Sequence, residues 1–196
     1  MFRPSITFHL GFELQALIHA SRMNDALAMI RTAWGWMINN PASTGSTVLE
    51  AWGASGEITY PFYKDKPSYI SHCHPFSTGP VLVLTYELLA LNFTDVGGKS
   101  WEFRPCVGDL EHCQGGFTGT HGKTRLVGGR QGKMEELFFS CWVEAPEGTI
   151  GRVRLPVVTS GWPKSTHKKG GVKCDNKDGY EWLNGISGGE RRNFVT

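Results

Sequence analysis

The sequence predicts an α+β chain, with helices gathered in its first half and strands in its second. Two observations carry that reading. Apolar residues recur at helical spacing up to about residue 91 and in short alternating runs from residue 100 onward. Between the two regimes, Asp95-Val96-Gly97-Gly98 breaks both patterns, so the boundary is placed there: one domain over 1–95 and a second over 96–196.

The first helix is predicted over 10–22, where Leu10, Leu14, Leu17 and Ile18 share a face. Asn24 reads as the cap of a second helix, with Asp25 in the first turn, where the helix dipole favours negative charge. Ala26, Leu27, Ile30, Ala33, Trp34 and Met37 form its apolar face, and it should stop by Asn40 because Pro41 disfavours helical geometry in the residue before it. A turn of two or three residues makes the pair an antiparallel hairpin. From 41 to 67, Gly45, Gly53, Gly56 and Pro61 prevent long regular elements, and so long a loop in a compact domain usually has a function. Ser77 or Thr78 then caps a third helix running to about Leu91. It is apolar nearly all round and expects more partners than two helices supply, which points to further sequence upstream.

Strand character follows at 100–103, 123–127, 136–143 and 151–158, with a last short strand at 180–182. Arg152, Val153, Arg154 and Leu155 alternate cleanly. Residues from about 159 to 180 are polar, basic and glycine-rich, and read as a loop or insertion. There is no internal repeat and no heptad.

Composition excludes several function classes. Of 196 residues, 20 are basic and 18 acidic, a net charge of +2, which is too balanced to argue for nucleic acid or an anionic membrane. No secretory signal opens the chain as given and no apolar run approaches a membrane span, so localisation is left open. Asn92-Phe93-Thr94 fits the N-glycosylation pattern, which matters only on a secretory route. The five cysteines are odd in number and contain no CxxC pair, so a zinc knuckle and a thioredoxin motif are absent and at least one thiol is left over.

Seven tryptophans and 25 glycines are the telling excess. An indole face stacks on the C–H face of a sugar while its N–H hydrogen-bonds, although most tryptophans serve simply as core. The stretch WGWMINNPASTGSTVLEAW, residues 34–52, combines aromatics, a Ser/Thr/Gly-rich loop and the carboxylate of Glu50, followed by Trp52. Glycoside hydrolysis commonly needs two carboxyl groups flanking the scissile bond, and Glu50 is the candidate for one; a solvated loop carboxylate is the plainer alternative. Glu57 sits in a turn-like setting and Asp65 between lysines, where a salt bridge is the simpler account. His72 and His74 flank Cys73, but two imidazoles do not complete a zinc site, which takes four ligands, so no metal or other cofactor is predicted. Cys73 and His74 are adjacent, and in a strand would face opposite ways, so a nucleophile pair is disfavoured. His74 could orient a sugar hydroxyl or could serve as a capping or core histidine; the residues leave both open.

At these residues the chain resembles a known family. WGWMINNPASTGSTVLEAW, YISHCHPFSTGPVLVLTYELLAL, WEFRPCVGDLEHCQGGF and APEGTIGRVRLPV occur in that order. Together, over roughly 8–158, they resemble the C-terminal part of the α-L-rhamnosidase-like six-hairpin glycosidases of fungi and bacteria, which are often secreted. The resemblance implies the last helices of an (α/α)6 barrel followed by an antiparallel β-sandwich. It implies that Glu50, in TVLEAW, is the general base of an inverting mechanism, that His74 binds the sugar, and that Trp34 and Trp52 line the pocket. The implied partner is a rhamnose-containing glycoside. Where the family commonly has Gly-Trp after that histidine, this chain has Pro75-Phe76, and a proline there could shift the loop that presents His74. The family's general acid lies in an upstream part of the barrel that these 196 residues do not include. The expectation is therefore the C-terminal portion of a rhamnoside hydrolase, inactive or nearly so alone, with a non-catalytic carbohydrate-binding remnant or a structural fragment as the alternatives.

Overall fold

The structure is a computed structural model and describes residues 5–64, 66–104, 106, 108–131, 138–156, 173–177 and 180–195. It is α+β and divides into two compact units between Val83 and Leu84, ahead of the composition change at Asp95. Asp65, residues 136–137 and 157–158, and most of the predicted loop at 159–180 lie outside the described residues.

Unit 1 begins with a two-residue strand, β1 (Ser5–Ile6), which pairs antiparallel with β2 (Ala51–Trp52). The predicted hairpin is present as α1 (Thr7–His19) and α2 (Met23–Asn39). A turn over 20–22 joins them, with Ser21 at φ 58 and its N–H donating to the Ile18 carbonyl at 2.9 Å. The cap differs from expectation. Arg22, not Asn24, is the residue before the helix, and its side chain reaches forward to the Asp25 carboxylate at 2.7 Å, leaving Asn24 inside the first turn. The C-terminus falls where Pro41 requires: Asn40 is extended at φ −72, ψ 124, and its N–H closes the last turn on Trp36. Leu14, Ala26, Ala33, Trp34, Met37, Leu49, Trp52 and Val83 form the core of this unit.

The long segment after α2 is organised by proline. Three single-turn 3-10 helices, Pro61–Tyr63, Pro67–Tyr69 and Pro75–Ser77, each start on a proline, whose fixed φ suits a first helical position and whose missing N–H costs nothing there. The third helix is much shorter than predicted. α3 (Gly79–Leu82) is one α-turn, and the chain continues as a wider π-turn over Val83–Leu88. Ala90 at φ 54 ends it, so Leu91 enters a strand. Gly79 lies so close to α1 that a Cβ there would come within 2.8 Å of the Gly11 Cα, so this position needs glycine, whereas a Cβ on Gly11 would make an ordinary 3.7 Å contact with the Gly79 Cα.

Unit 2 holds two sheets. The first runs in the order β3 (Leu91–Phe93), β4 (Ser100–Phe103), β8 (Ile150–Pro156), β10 (Tyr180–Ser187), β9 (Lys173–Lys177). The second runs β11 (Arg191–Val195), β7 (Phe138–Glu144), β6 (Gly122–Gln131), β5 (His112–Gly119). All pairings are antiparallel except β4 with β8, which is parallel. One hydrophobic cluster draws on both sheets, with Trp101, Phe103, Val153, Leu155 and Leu183 from the first and Leu126, Cys141, Val143 and Phe194 from the second. The alternation read at 152–155 holds: Val153 and Leu155 are fully buried, while Arg152 and Arg154 point outward toward the Trp182 ring at 4.7 and 5.9 Å. Lys173–Lys177, within the predicted loop, is instead a strand paired with β10.

Candidate functional site

The site is built around Glu50, and its main chain is tethered on two sides. The Glu50 N–H donates to the Ser71 carbonyl at 2.9 Å. Its carbonyl accepts from the Thr7 N–H at 3.0 Å and lies 2.6 Å from the Thr7 hydroxyl, which is also 2.8 Å from the Leu49 carbonyl. Thr7 and Ser77 are both fully buried, and their hydroxyls hydrogen-bond to each other. The indole N–H of Trp34 in turn donates to the Ser77 carbonyl at 2.7 Å. A polar chain thus runs from α2 through Ser77 and Thr7 to the backbone that presents the glutamate. Buried polar groups paired in series fix a geometry that apolar packing alone would leave loose.

The Glu50 carboxylate has its own partners. Tyr63 donates its hydroxyl to Oε1 at 2.6 Å and the Ser71 N–H donates to Oε2 at 3.1 Å. Partial burial pushes the carboxyl pKa up, but the Tyr63 bond, the Ser71 N–H and the charge of His74 together outweigh it, so the pKa lies below the ordinary glutamate value. The same bond pushes the Tyr63 phenol up from its usual value. The arrangement favours an ionised Glu50 carboxylate at neutral pH. That is the protonation state a general base requires. Among the described residues, the side-chain charge acting on Glu50 is that of His74, and no second carboxylate does so.

His74 sits in an extended conformation ahead of Pro75, as a residue preceding proline must. Its N–H donates to the Val48 carbonyl at 3.0 Å and its carbonyl accepts from Ser77 at 2.9 Å, tying this segment to the Glu50 loop. Phe76 is exposed, with its ring 5.7 Å from the imidazole. The structure brings Glu50 and His74 together, and it treats the two tryptophans differently. Trp34 and Trp52 are only 4% and 3% exposed and belong to the unit 1 core, beneath the Glu50 segment. Sequence reasoning missed Thr7, Tyr63, Ser71 and Ser77. A cue existed for Tyr63 alone: Tyr60, Phe62, Tyr63 and Tyr69 are four aromatics within ten residues. Among the described residues no group of three or more His, Cys, Asp or Glu is placed to hold a metal, and no helix is long and apolar enough to cross a membrane.

No protein-family model matches the chain, and no curated protein matches it by sequence. Solved structures do match. The chain superposes on an α-L-rhamnosidase of Streptomyces avermitilis, complexed with L-rhamnose, with a TM-score of 0.69 and 18% identity, over 93% of this chain and 17% of that one. An α-L-rhamnosidase of Dictyoglumus thermophilum gives 0.67 at 18% identity, over 94% of this chain and 20% of that one. One of Aspergillus terreus gives 0.66 at 17% identity, over 93% and 18%. The chain therefore has the fold of one segment of these proteins and spans about a fifth of their length or less.

Proposed function

We propose that this chain is the C-terminal portion of a glycoside hydrolase that removes terminal α-L-rhamnose from glycosides with inversion. Glu50 is the general base, taking a proton from the water that attacks the anomeric carbon. His74 binds the sugar in the pocket, and Trp34 and Trp52 support the pocket wall from behind. Unit 1 is then the last part of an (α/α)6 barrel and unit 2 a β-sandwich. The observation that carries the reading is the Glu50 carboxylate, held ionised by Tyr63 and the Ser71 N–H beside His74, in a chain that shares its fold with α-L-rhamnosidases.

An inverting pair of carboxyls stands about 6.5–9.5 Å apart. The partner acid is assigned to sequence beyond these residues. Without it, the general-acid contribution, on the order of 10²–10⁴-fold, is lost before any loss of substrate positioning. The 196-residue chain should therefore bind L-rhamnose weakly, in roughly the millimolar range, or about −4 kcal/mol, and turn over an aryl α-L-rhamnoside at or near background. Calorimetric titration with L-rhamnose and an aryl rhamnoside assay test the two halves. Efficient hydrolysis by the purified chain would overturn the assignment of the acid elsewhere, and absence of sugar binding would overturn the sugar site.

A further inference from the structure

Three aromatic side chains cluster around the tyrosine that holds Glu50. Tyr63 makes edge contacts with Phe62 at 5.6 Å and Tyr69 at 6.3 Å, and with Tyr60 at 6.3 Å. Tyr63 itself is partly buried, whereas Phe62 is 81% exposed and Tyr69 60% exposed. Apolar rings held this far into solvent lose the free energy that burial would return, and nothing in unit 1 covers them among the described residues. The backbone adds to this: Lys64, directly after Tyr63, is left-handed at φ 54, a conformation a lysine rarely adopts.

We propose that Phe62 and Tyr69 form the stacking platform for the pyranose ring that Glu50 addresses. The stacking surface thus comes from the 60–69 segment rather than from the tryptophans. This rests on the reading of Glu50 as a sugar-facing base, and names the residues that would select the ring. The chemistry fits a deoxyhexose. Such a sugar has a C–H face and an exocyclic methyl that pair with aromatic faces, and hydroxyls that need polar neighbours. Tyr69 supplies a phenol hydroxyl, and the Lys66 ammonium lies 5.5 Å from its ring centroid. Tyr63 connects platform and carboxylate, since its ring packs against both exposed rings while its hydroxyl bonds to Glu50. The other exposed aromatic patch on unit 1 has a different character. Phe8, Phe12, Phe76 and Leu82 line a groove of about 200 Å³ alongside Pro75 and Gly79, with Gln15 and Thr78 as its polar side chains and the His74 imidazole 5.7 Å from the Phe76 ring.

Saturation-transfer NMR with methyl α-L-rhamnoside on the 196-residue chain tests the platform, with Phe62→Ala, Tyr69→Ala and the control Phe12→Ala each compared with the parent chain. All three rings are exposed, so unfolding midpoints should stay put. Transfer should concentrate on the methyl group and the C–H protons of one sugar face. Affinity should fall about three- to tenfold for each platform ring removed, and not at all for Phe12→Ala. Binding that His74→Ala weakens but Phe62→Ala and Tyr69→Ala leave unchanged would overturn the platform while sparing the sugar site. No transfer to the parent chain would overturn both.

Discussion

Replacing Thr7 by valine isolates the polar chain beneath the site. The swap keeps shape and volume and deletes one hydroxyl, at a position with no exposed surface. Two groups lose a partner, the Leu49 carbonyl and the Ser77 hydroxyl, while the Glu50 carbonyl keeps the Thr7 N–H at 3.0 Å. A buried polar group left unsatisfied costs about 1–3 kcal/mol, and two that can partly relax together should cost about 2 kcal/mol. For a chain of 196 residues unfolding in one transition, that lowers Tm by roughly 4–8 °C. Thr7→Ser is the control: it keeps the hydroxyl and loses a methyl, about 0.8 kcal/mol. Urea unfolding followed by tryptophan emission reads both, because Trp34 and Trp52 sit in the core of the same unit. If Thr7→Val proves as stable as Thr7→Ser, to within about 0.5 kcal/mol, the hydroxyl chain does not hold the loop and the reasoning fails.

Three further outcomes follow from the same geometry. Tyr63→Phe should raise the Glu50 pKa toward the ordinary glutamate value, as read by carboxylate carbon NMR. In the parent chain the depressed pKa means that the carboxylate's contribution to stability is present above the unfolded-state value and is lost as pH falls through the folded-state one; an unchanged titration in the variant would contradict the bond. Gly151→Ala should destabilise unit 2 by about 1–3 kcal/mol in urea, because a Cβ there would stand 2.2 Å from the Trp101 ring, itself 2% exposed and hemmed in. Glu102→Gln should cost about 1–2 kcal/mol, less in high salt, since this buried carboxylate forms an ion pair with Arg104 at 2.6 Å and accepts a hydrogen bond from Arg152, whose side chain is half exposed and therefore screened; equal stability at every salt concentration would contradict it.

How much of this was legible depended on where each element lies. In unit 2 the runs at 100–103, 123–127, 136–143, 151–158 and 180–182 mark β4, β6, β7, β8 and β10, which are the interior strands of the two sheets. The strands that periodicity missed, β3, β5, β9 and β11, are the four edges among the described residues. Edge strands carry polar residues and glycine because one side faces water, and these erase the alternation that marks an interior strand. HCQGGFTG shows no apolar alternation, yet it pairs along its whole length with β6, and Gly116 is needed there because a Cβ would stand 2.1 Å from the Thr124 carbonyl oxygen. In unit 1 the α1–α2 hairpin was legible from its apolar face and from Pro41. The third helix was not, since a segment apolar all round has no preferred face to set its length. Glu50 and His74 stood out locally. Tyr63 and Thr7, 13 and 43 residues from Glu50 in sequence, reach it only through the fold, which no local pattern encodes.

The tethers at Glu50 have an evolutionary consequence. Those on its main chain attach to the amide and carbonyl, groups that every non-proline residue possesses, so a glutamine of the same shape would leave the loop on its course. A lineage could exchange the acid for an amide in one mutational step and keep the backbone around it. With Glu50 as the proposed general base, descent from degrading a sugar to merely recognising it would be short, and a chemically silent variant that captures an intact glycoside would need that one exchange.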